Sequence, residues 1–161
     1  MAIPQRAPFA RPNQTYFVTT KCFAGQQLLQ SERCALLLID TLYRYREQGK
    51  FALHAFVVMP DHMHALLSPA EATLERAMQL IKGGYSYRLS KELGLQREAW
   101  QRGYSDHRVR DLSDYRIHLT YLENNPVKRG LCQTPAAFSY SSASGKFELD
   151  PVPQWLKPQN S

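Results

Sequence analysis

The chain has 161 residues, which is enough for one domain with a hydrophobic core and too short for two. Its 20 Lys and Arg residues outnumber 14 Asp and Glu residues, so the formal net charge is +6. A basic chain suits a polyanionic partner such as nucleic acid, although the same charge is common among proteins that bind none. No apolar run approaches the roughly 20 residues of a membrane-spanning helix, and the N-terminus lacks the apolar core of a secretion signal. We therefore expect neither membrane insertion nor secretion.

The cysteines predict the cellular compartment. Cys22, Cys34 and Cys132 are odd in number, lie far apart and form no Cys-x-x-Cys pair. This pattern favours reduced thiols in a core, and hence a cytoplasmic protein.

The first half of the chain predicts two strands around a helix. Residues 14–22 are rich in β-branched and aromatic types, which is typical of a strand. Residues 31–48 have helical periodicity, with Ser31 as the candidate N-cap and Gly49 as the stop. Residues 51–58 form a second, mostly apolar strand.

The next segments complete a sheet. Pro60 and Asp61 predict a tight turn into the third strand, so that the second and third strands form a hairpin. A second helix is predicted over residues 73–93, weakened at its Gly83-Gly84 pair by about 1 kcal/mol per glycine relative to alanine. Residues 104–110 predict a short fourth strand.

In chain order these elements read β-α-β-β-α-β, which predicts an α+β fold of the ferredoxin-like or RNA-recognition-like type. Such a fold leaves one sheet face free of the two crossover helices, and by itself it predicts no chemistry. A third helix is predicted over residues 113–125 and is expected to end at Pro126. We expect one domain over residues 1–145, with an arm at 1–12 and an irregular tail at 146–161.

The third strand carries two histidines in a metal-ligand pattern. His62 and His64 are two residues apart, so on a strand both imidazoles project to the same face. Two ligands are too few for a metal site, so further ligands must come from elsewhere. The alternative is a pair of partly buried histidines that only form hydrogen bonds.

The third helix carries a polar arc beside its apolar seam. The seam consists of Tyr115, Leu119 and Leu122, and the arc of Asp114, His118, Tyr121 and Asn125. Tyr121 and Asn125 are four residues apart and therefore neighbours on the helix surface. An amide oxygen can bind a divalent cation and a phenolate can attack phosphorus. Each also has a simpler interpretation, since tyrosines pack beside seams and Asn before Pro often ends a helix.

Three segments resemble a known family. These are residues 57–64 (VVMPDHMH), Trp100-Gln101 followed by residues 104–110, and residues 114–131, which run from Asp114 through Tyr121 and Asn125 to Leu131. In combination they resemble the single-tyrosine transposases of the HUH nuclease superfamily, which are IS200/IS605-like, and most closely the REP-associated tyrosine transposases. The resemblance covers roughly residues 12–145.

The resemblance implies a chemistry and a set of site residues. It implies that Tyr121 is the nucleophile and that His62, His64 and Asn125 hold Mg²⁺ or Mn²⁺. His118 lines the site on this interpretation without being a ligand. The substrate would be single-stranded DNA at or near an imperfect hairpin of the REP type. Attack by Tyr121 would leave a 5′-phosphotyrosine link and a free 3′-OH, and the reverse reaction would rejoin strands without ATP.

The residues themselves are compatible with this chemistry. Free tyrosine has a pKa of about 10 and is a poor nucleophile at neutral pH without nearby positive charge. A divalent cation would supply that charge at the phosphate. No general base is evident in the sequence.

Basic and aromatic residues elsewhere are candidates for DNA contacts. They are Arg6 and Arg11 in the N-terminal arm, Lys82, Tyr85 and Arg88 on the second helix, Arg102, Arg108 and Arg110 near the fourth strand, and Lys128 and Arg129 after the third helix. For the second helix, a solvated face with a core tyrosine is an equally good interpretation.

Two other functions stay open at this point. One is a non-catalytic module that binds single strands on an RNA-recognition-like sheet. The other is a hydrolase in which His62 and His64 bind zinc and activate water. For the nuclease we expect a monomer, with a homodimer as the alternative.

Overall fold

In the computed structural model, residues 14–156 are described. Arg6 and Arg11 lie outside the described residues, and so does the rest of the predicted N-terminal arm. The helices and strands, in chain order, are β1 (Tyr16–Lys21), α1 (Glu32–Glu47), β2 (Phe51–Met59), β3 (His62–Pro69), α2 (Leu74–Leu93), β4 (Ser105–Arg108) and α3 (Leu112–Lys128). This order confirms the predicted α+β fold with an added C-terminal helix.

The strands form one antiparallel sheet in the order β2-β3-β1-β4. β2 and β3 pair as the predicted hairpin, with Met59 opposite His62. β1 pairs with the other edge of β3, which sets Thr19 opposite His64 and Lys21 opposite His62. The histidine strand is therefore central, with a hydrogen-bonded neighbour on each side.

α1 and α2 cover one face of the sheet. Ser31 caps α1 by accepting a hydrogen bond from the Cys34 amide, and Thr73 caps α2 in the same way from the Arg76 amide. The glycine pair does not interrupt α2. A Cβ on Gly84 would collide with the Tyr45 ring, so glycine permits the close approach of the two helices.

α3 covers the opposite face, where it packs against β2 and β3. Tyr115 and Leu122 are buried in a second core cluster with Val57 and Leu66. None of the helices within residues 14–156 is long and apolar enough to cross a membrane.

The predicted end of the third helix is wrong. Pro126 lies inside α3, which begins after the N-cap Asp111 and continues to Lys128. A proline costs a helix the hydrogen bond of its missing N–H. Here the proline is buried and only the last turn follows it, where the Arg129 amide donates to Asn125 O. The helix therefore continues two residues past the proline, to Lys128.

The segment after α3 runs along the free edge of β2. The Val58 amide donates to Tyr140 O (2.8 Å), and the Phe56 amide donates to Ser142 Oγ (3.0 Å). The Leu53 amide donates to Asp150 Oδ2 (2.7 Å). These bonds satisfy edge amides that would otherwise be open to pairing with another chain.

Asp150 is the main charged contact of this segment. The Arg46 guanidinium donates to both of its oxygens, at 2.9 and 3.0 Å. Burial opposes ionisation of Asp150, but the hydrogen bonds from Arg46 and Leu53 outweigh it and hold the pKa of the carboxyl below its usual value. The ion pair with Arg46 ties residue 150 to α1, and the hydrogen bond from the Leu53 amide ties it to β2.

Asp150→Asn should lower the free energy of unfolding by about 2 kcal/mol, because it removes a charge-assisted pair from a half-buried guanidinium. Since the pKa is depressed on folding, this stabilisation is present above about pH 4 and is lost as the pH falls further. Urea unfolding at pH 7 and pH 3 measures both effects. Glu148→Gln, which removes a longer and exposed contact to the same Arg46, is the control and should change stability little. If the Asp150 variant and the original chain had the same free energy of unfolding at pH 7, the Arg46–Asp150 ion pair would not stabilise the fold.

Candidate active site

His62 and His64 lie on the sheet face that α3 covers. Their ring centroids are 4.7 Å apart. Both side chains are buried, and that of His64 is only 5% exposed. The period of the strand thus brings two imidazoles together beneath a helix.

Each imidazole is oriented by a hydrogen bond at Nδ1. His62 Nδ1 lies 2.7 Å from Asp61 Oδ1, and His64 Nδ1 lies 2.8 Å from Thr19 Oγ1. Because a carboxylate only accepts, His62 carries its proton on Nδ1 and its Nε2 is free to bind a cation. His64 Nε2 has no hydrogen-bond partner and is buried.

Electrostatics keep His64 uncharged. Burial is the main cause that lowers the pKa of His64 to about 3, and the neighbouring His62 and Lys21 lower it further. The neutral ring retains a lone pair, which is the form that a metal ion needs. Burial also opposes ionisation of Asp61, but the hydrogen bond from His62 and the charge of Arg129 outweigh it and hold the pKa of Asp61 below its usual value.

Tyr121 and Asn125 of α3 and Arg129, the residue that caps its C-terminus, follow one another at intervals of four residues on the side of the helix toward β3. The Tyr121 ring lies 5.5 Å from that of His64, and Arg129 Nη2 lies 3.6 Å from Asp61 Oδ2. Asn125 lies between them on the same stripe of the helix and is 7% exposed. Its Oδ1 is buried and has no hydrogen-bond partner. Tyr121, in contrast, is 48% exposed.

These side chains fit a divalent cation. Among residues 14–156, the buried side-chain atoms without a partner are His64 Nε2, Asn125 Oδ1 and Thr20 Oγ1. An unpaired buried polar atom costs roughly 1–3 kcal/mol, so such atoms call for an explanation. Two of the three are donor atoms of the ligand set that the sequence suggests. A cation coordinated by both would remove the cost.

Sequence reasoning missed Phe17, Thr19 and Asp61. The Phe17 ring stacks on His64 with centroids 5.1 Å apart, and its edge faces Tyr121 at 6.0 Å. Phe17 and Thr19 are alternate residues of β1 and so share its face toward α3. That alternation, and the position of Asp61 beside His62, were the available signals. The register between β1 and β3 was not readable from the sequence.

The candidate DNA contacts on α2 are engaged within the protein. The expectation for Tyr85 is wrong, because the ring is 0% exposed and its hydroxyl donates to Cys34 O, so that it packs in the core. Arg88 pairs with Asp40 and Glu92. Lys82 donates to the carbonyl oxygens of residues 101 and 103, and burial lowers its pKa.

The remaining candidates are exposed. They are Arg102, Arg108, Arg110, Lys128 and Arg129. A polar cavity next to Thr19 is lined by Lys21, Arg102 and Tyr104. Positive charge and an aromatic ring therefore lie on the β1–β4 side of the histidines.

Comparisons with known proteins show the family of the chain. The family model "Transposase IS200 like" matches residues 14–125, more than half of the chain. A REP-associated tyrosine transposase of Escherichia coli is 26% identical over 121 residues, which cover 71% of this chain and 70% of that protein. A Haemophilus influenzae protein, provisionally given the same name, is 29% identical over 133 residues, covering 71% of this chain and 76% of the relative.

The fold has a close counterpart among solved structures. A REP-associated tyrosine transposase bound to a REP hairpin superposes with a TM-score of 0.68 at 24% identity, covering 94% of this chain and 92% of that one. The buried histidine pair, the tyrosine above it and the match of the family model over more than half of the chain lead to one conclusion: this chain belongs to the family of IS200-like transposases.

Proposed function

We propose that the chain is a metal-dependent endonuclease and transesterase of single-stranded DNA, with Tyr121 as its nucleophile. The observation that carries the proposal is the position of Tyr121. Its exposed ring lies 5.5 Å from His64, beside two buried ligand atoms that have no protein partner. A phosphodiester above the histidines would be within reach of the phenol.

His62, His64 and Asn125 are the residues that would hold Mg²⁺ or Mn²⁺. When bound, the cation supplies positive charge to a non-bridging phosphate oxygen. The His64 imidazole is neutral at neutral pH and so offers a lone pair to the cation, because burial holds its pKa far below its usual value. The Nδ1 hydrogen bonds to Thr19 and Asp61 keep both rings aimed.

The reaction is an exchange of one phosphodiester for another. The phenolic oxygen of Tyr121 forms a bond to phosphorus, and the bond from phosphorus to the 3′ oxygen breaks. The phenolic proton passes to solvent, which reaches the exposed side chain, and the departing 3′ oxygen takes up a proton. The products are a 5′-phosphotyrosine and a 3′-OH. Because the protein–DNA link keeps the phosphodiester energy, rejoining needs no ATP.

The proposed substrate is a DNA hairpin with a single-stranded flank. Two features support it: a similar structure holds a REP hairpin, and the exposed arginines on β4 and after α3 are suited to phosphates. Arg102 and Tyr104, in the cavity beside Thr19, are suited to an unpaired nucleotide next to the cleaved bond. Arg6, Arg11 and Lys82 stay as secondary candidates.

We propose that one chain assembles the whole site. Tyr121 packs against His64 of the same chain, and Arg129 reaches Asp61 of the same chain. No second copy is needed to bring the nucleophile to the histidines, which supports a monomer. Three free cysteines agree with a cytoplasmic protein that acts on DNA there.

Tyr121→Phe should abolish the covalent protein–DNA adduct, because the ring stays and only the attacking oxygen is removed. A hairpin-bearing oligonucleotide with Mn²⁺, run on a denaturing gel, reports the adduct, and a gel shift reports binding. Binding should change less than about three-fold. Tyr87→Phe, another exposed tyrosine, is the matched control and should form adduct normally.

Other outcomes of this gel distinguish the other functions. Free DNA ends without any adduct in the unmodified chain would indicate a hydrolase. Binding that neither cleaves nor responds to EDTA would indicate a binding module. Cleavage that survives in Tyr121→Phe would refute the nucleophile.

Asn125→Ala should weaken Mn²⁺ binding at least ten-fold and slow cleavage with it, because a ligand atom is lost. EDTA should stop cleavage by the unmodified chain. The neighbouring Asn124 is exposed and bonds only to Thr120 O, so Asn124→Ala is the matched control. Titration of cleavage rate against Mn²⁺ gives the apparent affinity of each variant. Equal metal dependence of the two alanine variants would remove Asn125 from the ligand set.

Asp61→Asn should weaken metal binding and slow cleavage by roughly 10–100-fold, because the carboxylate no longer fixes the protonated Nδ1 of His62. Asp61 is a positioning residue, so excess Mn²⁺ should restore most of the rate. Asp40→Asn, on the distant face of α1, controls for loss of a negative charge. A rate deficit that Mn²⁺ does not rescue would argue for a different role of Asp61.

A further inference from the structure

A second group of potential ligands lies between β4 and the start of α3. His107 of β4, Asp114 and His118 each offer one ligand atom, and these atoms all lie within 4.8 Å of one another. His107 Nε2 is 2.8 Å from Asp114 Oδ2, and His118 Nδ1 is 3.1 Å from Asp114 Oδ1. The two imidazole rings are stacked, with centroids 4.3 Å apart.

We propose that His107, Asp114 and His118 bind a second metal ion, a divalent cation of borderline softness such as Zn²⁺. Zinc binds imidazole and carboxylate at about 2.0–2.2 Å, which places tetrahedral ligands roughly 3.3 Å from one another. The two donor separations already lie near that value. In the triad His107 Nε2 and His118 Nδ1 both donate to Asp114, so each ring would bind an ion through that nitrogen after its proton has moved, by exchange with solvent, to the other ring nitrogen. Rotations of the side chains would then bring the three ligand atoms, which all lie within 4.8 Å of one another, around the ion.

Asp114 is ionised at neutral pH, as a carboxylate ligand of a cation must be. Burial opposes its ionisation, but hydrogen bonds from the Arg110 amide and from His107 outweigh burial and keep the pKa of Asp114 low. Two residues already occupy these ligand atoms and would compete with a bound ion. Asp114 Oδ2 accepts a hydrogen bond from the Arg110 amide (2.9 Å) and lies 3.7 Å from Arg110 Nε. His118 Nδ1 lies 2.9 Å from the backbone oxygen of Asp114. The Arg110 side chain is 71% exposed and free to turn away.

The position of this cluster suggests what the ion does. His107 belongs to the edge strand and the other two residues to the first turns of α3, so a bound metal clamps the helix that carries Tyr121 to the sheet. His118 also contacts Phe17 (4.9 Å), whose ring stacks on His64. Three protein ligands would leave a four-coordinate ion one position for water or a phosphate oxygen, and the His107 side chain is 37% exposed, so solvent reaches this side of the cluster.

The test separates this site from the nuclease histidines. The parent protein is the full chain with His62→Ala and His64→Ala, which cannot hold the proposed nuclease metal. Dialysis against Zn²⁺ with elemental analysis counts bound ions, and Co²⁺ in place of Zn²⁺ gives visible absorption bands that report the ligand geometry. We expect one ion per chain in this parent, whether or not the chain cleaves DNA.

Matched variants of the parent locate the ion. His107→Gln and His118→Gln should each weaken Zn²⁺ binding at least ten-fold and reduce the Co²⁺ bands. Asp111→Asn, which keeps a good cap at the start of α3, should bind like the parent. Circular dichroism verifies that each variant is folded, and His107, on a partly exposed strand, is the safer of the two substitutions. A parent that binds no ion, or binding that survives both glutamine variants, would overturn the proposal.

Discussion

The packing of α3 on the sheet face opposite α1 and α2 is the contact on which the candidate site depends. Tyr115 and Leu122 hold the helix against Val57 and Leu66 through apolar burial, which is non-directional and sets only the approach. The rotation of α3 about its own axis then decides which of its polar residues face the sheet. With the seam in place, the stripe of Tyr121, Asn125 and Arg129 faces the histidine strand, one residue per turn.

Polar groups buried beneath α3 lower the free energy of unfolding unless they form hydrogen bonds or ion pairs. This requirement accounts for the polar residues that surround the two histidines. Thr19 and Asp61 engage one nitrogen of each imidazole, and Arg129 balances Asp61. Among residues 14–156, the buried side-chain atoms that stay without a partner are His64 Nε2, Asn125 Oδ1 and Thr20 Oγ1. A protein selected for stability alone would gain from apolar side chains at such positions. Two of these atoms, His64 Nε2 and Asn125 Oδ1, belong to the proposed ligand set and are the ones that a bound cation would satisfy.

The two sheet faces divide structure from chemistry. On the α1–α2 face, Tyr85, Arg88 and Lys82 complete the core or pair within the protein, so charges on α2 serve the fold. On the α3 face, both histidine clusters, the exposed tyrosine and the cavity at Arg102 lie together. Phe17 links the two histidine clusters through ring contacts with His64 and His118. A single aromatic residue on β1 thus contacts both His64 and the first turns of α3.

The sequence by itself determined the order of helices and strands, because caps such as Ser31 and Thr73 and the two periodicities act within a few residues of the chain. It also determined that His62 and His64 share a face. Only the tertiary structure decided that the side-chain oxygen of Asn125 is buried without a hydrogen-bond partner, that Tyr85 is in the core and that α3 continues through Pro126. It alone brought His107 to Asp114 and Thr19 to His64. The physical reason is that the register between strands and the rotation of a helix about its axis are set by packing between segments that are distant in the chain. The residues near a polar atom in sequence therefore do not indicate whether that atom will be buried away from water.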